Sequence, residues 1–491
     1  MSDAGKRGLW NALGEARTIY SILLIYCGLH LILRMGLSAN FSHAEAEQIV
    51  FGQSFQWAYR PGEPPLAAWL SYGAFAAGGR AAVFLLKYAA MALGLFSLFG
   101  AGRVILGDVR LAAFATFAAV TGYTFGYLAH ADMLSGVLTF SICCGFVWAA
   151  SQALTRGAPK DYLWLGLIGS LGTLNDYAFL ALPVAFAIAV VLTPGMRVRP
   201  RPLLGAVLLV LVIVAAYIWM VFGHPLAADG AQSVALMKGA GNYGLAIVFF
   251  TLPFVMAFAA IFPRALLPLA NGAAQDRRWL RVLGLTILIA TVLLLAASML
   301  SGAGKFEPAR IAPAFVPLVL WLFLRVKIAG WDVRAGRFFL WFAVATVVLA
   351  GVARVAVFEL GAPYCKNCGD YWPTQRFATS IGTTGFAKGT IVADSIDLGA
   401  DLKQWLPDAR VVVAGSAPDV FGPAQGLQCL VVWRGNGDMD KAQADYLAYA
   451  LEARVGANAV RGDVEALLET SKTRRDRLSF VLLPTGSGRC N

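Results

Sequence analysis

Apolar runs of about 20 residues recur from residue 17 to residue 357, and short loops between them carry most of the Lys and Arg in that region. A helix that crosses a bilayer needs about 20 mainly apolar residues. The pattern therefore predicts a polytopic α-helical membrane protein. Spans are expected near 17–36, 81–102, 110–128, 133–153, 202–222, 243–262, 280–300, 309–325 and 337–357. The stretch 161–193 is too long for one span, and "GSLGTLNDY" interrupts it, so two short helices are expected to turn at Asn175 and Asp176. About eleven transmembrane helices result.

Only 14% of the 491 residues are charged and 58% are hydrophobic, against about 25% charged in soluble domains. The net charge of +12 does not indicate a nucleic-acid partner, because the basic residues sit between apolar runs, where they hold loops on the cytoplasmic side. Lys6 and Arg7, Arg103 and Arg110, Arg156 and Lys160, "RVRPRP", "QDRRWLR" and "RVKIAGWDVRAGR" all fall on one side if 161–193 crosses twice. The N-terminus is then cytoplasmic, and the C-terminal region lies outside a bacterial inner membrane. The first apolar run has no small-residue cleavage site, so it is read as a span that stays.

The composition changes after Glu359. "GTIVADS", "ARVVVAG", "QCLVVWRG" and "LSFVLLP" read as short buried strands, with helices over "DLGADLKQWL" and near 438–455. The expected organisation is a transmembrane domain over 1–358, with a first outer loop at 37–80, and a small periplasmic α/β domain over 359–491. Cys27, Cys143 and Cys144 fall in apolar runs and read as packing residues. "CKNC" alone is compatible with zinc, redox chemistry or a disulfide. An outer location favours disulfides, with Cys365, Cys368, Cys429 and Cys490 as candidates.

Ionisable residues at the edge of spans are costly and functional by default. In this threading they gather at the outer face: His43, Glu45, Glu47, Arg60 and Glu63 in the first loop, then Lys87, His130, Asp132, Asp176, Lys305, Glu307 and Arg310, with His224 and Asp229 in another loop. Each has a plainer reading. Lys87 is placed to snorkel, Glu45 and Glu47 to face water from an interfacial helix, and Arg310 to meet headgroups. Together, acids and bases at one membrane depth fit the handling of a lipid phosphate beside a polar acceptor. The leaving phosphate is already a stable anion and needs cations, for which Arg and Lys serve. The attacking hydroxyl needs a base, for which a carboxylate serves. The four histidines are scattered and give no metal-ligand spacing; no cofactor is expected.

The loop "SHAEAEQIVFGQSFQWAYRPGEPPLAAWL" adds a likeness. "AEAEQ" (44–48), Gln53, "WAY" (57–59) and "EPPLAAWL" (63–70) resemble the first outer loop of family 39-like GT-C glycosyltransferases that use polyprenyl-phosphate sugars, the rhizobial lipopolysaccharide galacturonosyltransferase branch above all. "FLLKYAAMALGLF" with Lys87, "HADMLSGVL" with Asp132, "LGLIGSLGTLNDYAF" and "FEPARIAPAFVPL" with Arg310 continue it. The resemblance implies a GT-C fold and inverting, metal-independent transfer from a polyprenyl-phosphate sugar to a lipid-linked or envelope glycan of lipopolysaccharide type. Donor phosphate binding would fall to Lys87 and Arg310, with Lys305 and Arg60. Glu63, Tyr59, His130 and Asp176 would position substrate.

Two positions depart from the family pattern. Ala44 stands where the family has its catalytic Asp, and Asp176 where it has a Lys. On a helix from 43 to 55, Glu47 lies three positions from Ala44 and near its face, while Glu45 is turned about 100° away. Glu47 is therefore the expected base, with His43 at i, i+4 to orient it, and Asp132 is the alternative. Glu45 matches the family's motif Glu and would position the acceptor. The lost Asp also admits a paralogue that binds carrier lipid without transferring sugar. A lipid or sugar transporter is the third reading, although no internal repeat supports it.

Overall fold

The computed structural model describes residues 10–59, 64–222, 236–269, 272–301, 307–366, 368–415, 418–423, 428–435, 438–456, 459–484 and 488–490. Arg60, Glu63, Lys305, His224 and Asp229 lie outside them. The chain forms two compact units. The first comprises Met1–Leu31, Lys87–Met220 and Ala231–Gly351; the second comprises Ile32–Leu86, Val221–Gly230 and Val352–Asn491.

The long helices are α1 (Ala16–Leu37), α3 (Leu66–Leu106), α5 (Leu134–Thr155), α8 (Pro200–Phe222), α9 (Leu236–Ile261), α10 (Ala274–Ser301), α11 (Ala312–Ala329) and α12 (Val333–Gly361). Among the described residues, eight helical segments are long and apolar enough to cross a membrane, or nine with one bent pair. That pair is α4 (Val109–Thr121) and the turn Thr124–Ala131, bent by 75°. The eleven spans expected are thus not reached by length. The stretch 161–193 does break where the sequence breaks, into α6 (Pro159–Asn175) and α7 (Ala181–Val191), which are short for a span at 17 and 11 residues. Asp176 is extended between them and accepts from the Ala178 N–H at 2.9 Å, which caps the turn Tyr177–Leu180.

Small residues bring the helices of the first unit together, as membrane packing requires. A Cβ at Gly94 would lie 2.6 Å from the Ser141 Oγ, and one at Gly100 2.7 Å from the Trp148 ring, so α3 and α5 touch along their backbones. The Ser141 hydroxyl secures that contact with a hydrogen bond to the Ala90 carbonyl (2.7 Å). Ala181 and Ala185 of α7 pack with Tyr243 of α9 and Ala290 and Leu294 of α10.

In the second unit α3 begins at Leu66, earlier than the span expected from residue 81, and is interrupted at Gly78 and Gly79. Gly79 has φ 57°, a conformation that costs glycine little. The C-terminal region is a five-stranded mixed sheet in the order β2-β1-β3-β5-β4. Its strands are β1 (Gly389–Ala393), β2 (Ala409–Val413), β3 (Cys429–Arg434), β4 (Val460–Leu467) and β5 (Arg475–Leu483). Strands β1, β2 and β3 are parallel, and β5 is antiparallel to β3 and β4. The helices are α13 (Thr374–Thr383), α14 (Ile396–Trp405) and α15 (Lys441–Asp445). The helix expected over 438–455 is shorter, continuing only as a π turn at Tyr446–Ala450. Disulfides join Cys365 to Cys368 and Cys429 to Cys490.

Candidate functional site

The first outer loop carries α2 (His43–Phe51), shorter than the 43–55 helix expected, because the chain leaves the helix at Gly52. Glu45, in the first turn, reaches back to accept from the Ser42 N–H (3.1 Å), a stabilising arrangement at a helix N-terminus. It is fully buried and also bonds Arg34 at 2.5 Å. Arg34 is itself buried, donates to the Asn40 carbonyl (2.9 Å), and lies 4.3 Å from the centre of the Phe84 ring. Glu45 thus ties the end of α1 to the start of α2.

The same loop is fastened to the C-terminal region. The Asn40 amide donates to the Gly369 and Trp372 carbonyls (2.8 and 2.9 Å), and the Phe41 N–H donates to Asp401 (2.8 Å). Gln53 exchanges two hydrogen bonds with the Val411 backbone, at 2.5 and 2.8 Å. Val411 lies on β2, an edge strand of the sheet, whose outward backbone groups would otherwise lack a ladder partner. Phe51 stacks on Phe421.

His43, 69% exposed at its side chain, lies with Nδ1 2.7 Å from Asp397 on α14. Glu47 is half-buried. Tyr59 is buried, donates to the Ser54 carbonyl (2.8 Å), and burial pushes its phenol up to about 12. These contacts make Tyr59 a brace of the loop.

The first unit holds Lys87, His130, Asp132, Asp176 and Arg310. Lys87 is 1% exposed within α3. His130 is also buried; its Nε2 lies 2.6 Å from the Tyr26 hydroxyl, and its ring stacks on His30 (3.7 Å between centroids) and Tyr88 (5.6 Å). Tyr26, His30 and Tyr88 were not singled out in the sequence. The only available signal was a polar ring inside an apolar run. Asp132 follows this cluster and precedes Met133, whose φ of 78° is a strained conformation for a residue with a side chain. Asp176 lies 3.8 Å from the Arg310 Nε, and Glu307 lies 3.7 Å from the same atom. Arg34 was also missed, because an Arg at the end of a span reads as an interfacial charge.

Each unit thus collects acids and cations that an apolar chain would otherwise avoid. Among the described residues no group of three or more His, Cys, Asp or Glu side chains is arranged to hold a metal ion.

Comparison with known proteins gives these residues a context. Residues 62–219 match the model of the dolichyl-phosphate-mannose-protein mannosyltransferase family. The lipopolysaccharide core galacturonosyltransferase RgtA of Rhizobium johnstonii is 26% identical over 453 residues, which cover 87% of this chain and 89% of the relative. The crystal structure of ArnT from Cupriavidus metallidurans bound to undecaprenyl phosphate is similar in fold, with a TM-score of 0.58 at 14% identity over 94% of this chain and 98% of that one. The mycobacterial arabinofuranosyltransferase AftD matches with a TM-score of 0.50 at 14% identity, over 95% of this chain and 42% of that one. Residues 62–219 are therefore similar to the dolichyl-phosphate-mannose-protein mannosyltransferase family, and the chain has an ArnT-like GT-C fold.

Proposed function

We propose that the chain is a glycosyltransferase of a bacterial inner membrane that moves one sugar, of the hexosyl or uronosyl class, from a polyprenyl phosphate to a lipopolysaccharide-type glycan. The N-terminus is cytoplasmic in this reading, and the active site and C-terminal domain face the periplasm. The acceptor hydroxyl oxygen bonds to the anomeric carbon, the bond from that carbon to the phosphate oxygen breaks, and the configuration inverts. Polyprenyl phosphate leaves as an anion without needing an acid or a metal, and the acceptor proton passes to a carboxylate.

Lys87 and Arg310 hold the phosphate, with Lys305 and Arg60 as further cations. Glu47 is the base, and Asp132 orients the acceptor hydroxyl. Glu63, Tyr59 and His130 position the acceptor. Glu45 acts at one remove, by fixing the start of α2 through Arg34.

One observation carries this reading: Lys87 is almost wholly buried in a membrane-spanning helix. A lysine buried in such a helix is costly and marks a functional position, for which contact with a lipid phosphate is the use proposed here. The likeness over most of both chains to RgtA, a lipopolysaccharide core galacturonosyltransferase, supports glycosyl transfer to a glycan of that type.

The test uses purified full-length protein in nanodiscs, a polyprenyl-phosphate sugar carrying a radiolabel, and lipopolysaccharide extract. Wild type transfers label. K87Q and E47Q lower transfer by about a hundred-fold or more, the usual scale for a lost charge contact or base. Undiminished transfer by K87Q sinks the phosphate assignment. Loss in D132N with none in E47Q moves the base to Asp132. Ala44 favours a second reading, a protein that binds carrier lipid without turnover; retention of undecaprenyl phosphate with no transfer by wild type selects it.

A further inference from the structure

An apolar groove of about 410 Å³ lies in the first unit between α1, α4 and α12. Leu23, Phe117, Val344 and Val348 line its length, and Trp10 and Arg337 line one end. The Arg337 guanidinium is 5.7 Å from the Trp10 ring, and the Arg110 guanidinium is 5.4 Å from it. Trp10 is fixed by Phe114, at 6.2 Å between centroids, and by Trp331, at 6.1 Å. Two guanidinium groups therefore lie within 6 Å of one indole, Arg337 lining the end of the apolar channel and Arg110 against the same indole beside it.

Neither arginine forms an ion pair among the described residues. The two acids nearest in sequence are engaged otherwise: Asp108 caps α4 by accepting from the Leu111 N–H (2.9 Å), and Asp332 accepts from the Ala335 N–H (2.6 Å). The Arg110 Nε is buried without a hydrogen-bond partner among the described residues. Among the described residues the two positive charges at one end of the site are therefore not ion-paired, and a long apolar wall lies beyond them. A free anion would use only the charge, and a neutral lipid only the wall.

We propose that this groove holds one anionic phospholipid, its phosphate between Arg110 and Arg337 and an acyl chain along Leu23, Phe117 and Val344. Guanidinium forks suit phosphate oxygens, and tryptophan is favoured at the headgroup level. A zwitterionic headgroup brings its own ammonium into the arginine pair and binds less well. The lipid supports the fold where α1 meets α12 and is not a reactant.

Native mass spectrometry of the full-length protein, after exchange into phosphatidylglycerol or phosphatidylcholine vesicles and mild delipidation, tests the proposal. Wild type retains one phosphatidylglycerol in preference to phosphatidylcholine. R110Q/R337Q retains about thirty-fold less, the factor expected from two headgroup contacts, and R110K/R337K keeps most of it. V344W, which obstructs the apolar wall and leaves both charges in place, also lowers retention and decides the matter if R110Q/R337Q does not fold. Equal retention of the two lipids, or unchanged retention in R110Q/R337Q or V344W, overturns the proposal. Displacement of phosphatidylglycerol by stoichiometric undecaprenyl phosphate also overturns it, by assigning the groove to a carrier lipid.

Discussion

The carboxylate of Asp176 lies 3.8 Å from the Nε of Arg310, so a membrane-edge acid faces a cation proposed to bind donor phosphate. The pair is incompletely buried, with side-chain exposures of 16% and 33%. Its worth is about 1 kcal/mol, the upper range for exposed pairs. Asn at this position keeps the oxygen that caps the turn after α6 and removes the charge that competes with phosphate. D176N is expected to lower the KM for the polyprenyl-phosphate donor about five-fold with little change in kcat. Donor-saturation curves for the two proteins check this. A higher KM in D176N makes Asp176 a positioning residue for Arg310 instead.

Arg34 and Glu45 form the more deeply buried pair, at 2.5 Å. Removing one partner of a buried pair leaves the other charge uncompensated, at a cost of about 3–5 kcal/mol. R34M and E45Q should each destabilise the protein on that scale, while R34M/E45Q costs less than the sum of the two. Thermal unfolding in detergent gives the ordering. Limited proteolysis near His43 should show the loop released in both single variants, since Glu45 joins α1 to α2. Additive losses would show that the two side chains do not act as a pair.

Much of this architecture could be read from pattern, and the failures have physical causes. Strands β1, β2, β3 and β5 were evident because buried parallel and central strands leave near-continuous apolar runs. Strand β4 was not, because "VRGDVEAL" is an edge strand whose charged residues alternate with partly buried ones. The break at Asp176 was visible as a polar interruption. The bend after α4 was hidden, because the residues around it stay apolar. Gln53 was legible as a motif residue, whereas its bonds to an edge strand far along the chain were not. Arg34 with Glu45 and Asp176 with Arg310 share the same difficulty: each charge was visible, but the pairing depends on tertiary structure.

Cys429–Cys490 closes a loop with a sequence separation of 61, and Cys365–Cys368 one with a separation of 3. Chain-entropy reasoning gives about 4 kcal/mol for the long loop and about 2 kcal/mol for the short one. C429S/C490S should therefore destabilise the C-terminal region more than C365S/C368S. Pulse proteolysis at increasing urea checks the order. Dithiothreitol should bring wild type down to the level of the variant lacking all four cysteines and leave that variant unchanged.

Asp401 couples the fastening of the first loop to pH. Burial pushes its carboxyl well above the usual carboxylate range; the Phe41 N–H opposes the rise, Asp397 and Asp370 add to it, and Arg34 opposes it. Its Oδ2 has no hydrogen-bond partner among the described residues, while Oδ1 accepts from the Phe41 N–H. The folded protein therefore binds a proton at Asp401 that the unfolded chain releases above about pH 4. The stabilising contribution is fully present below that value and is lost as pH rises toward the folded-state pKa. Wild-type Tm should fall as pH rises above about pH 4, with a limiting slope of about 1.4 kcal/mol per pH unit from this group. D401N keeps an oxygen for Phe41 and has no proton to lose, so its Tm should depend less on pH and exceed that of wild type at the alkaline end. Parallel pH profiles in wild type and D401N would instead show that Asp401 does not govern this dependence, and would return its buried carboxyl to a purely structural role.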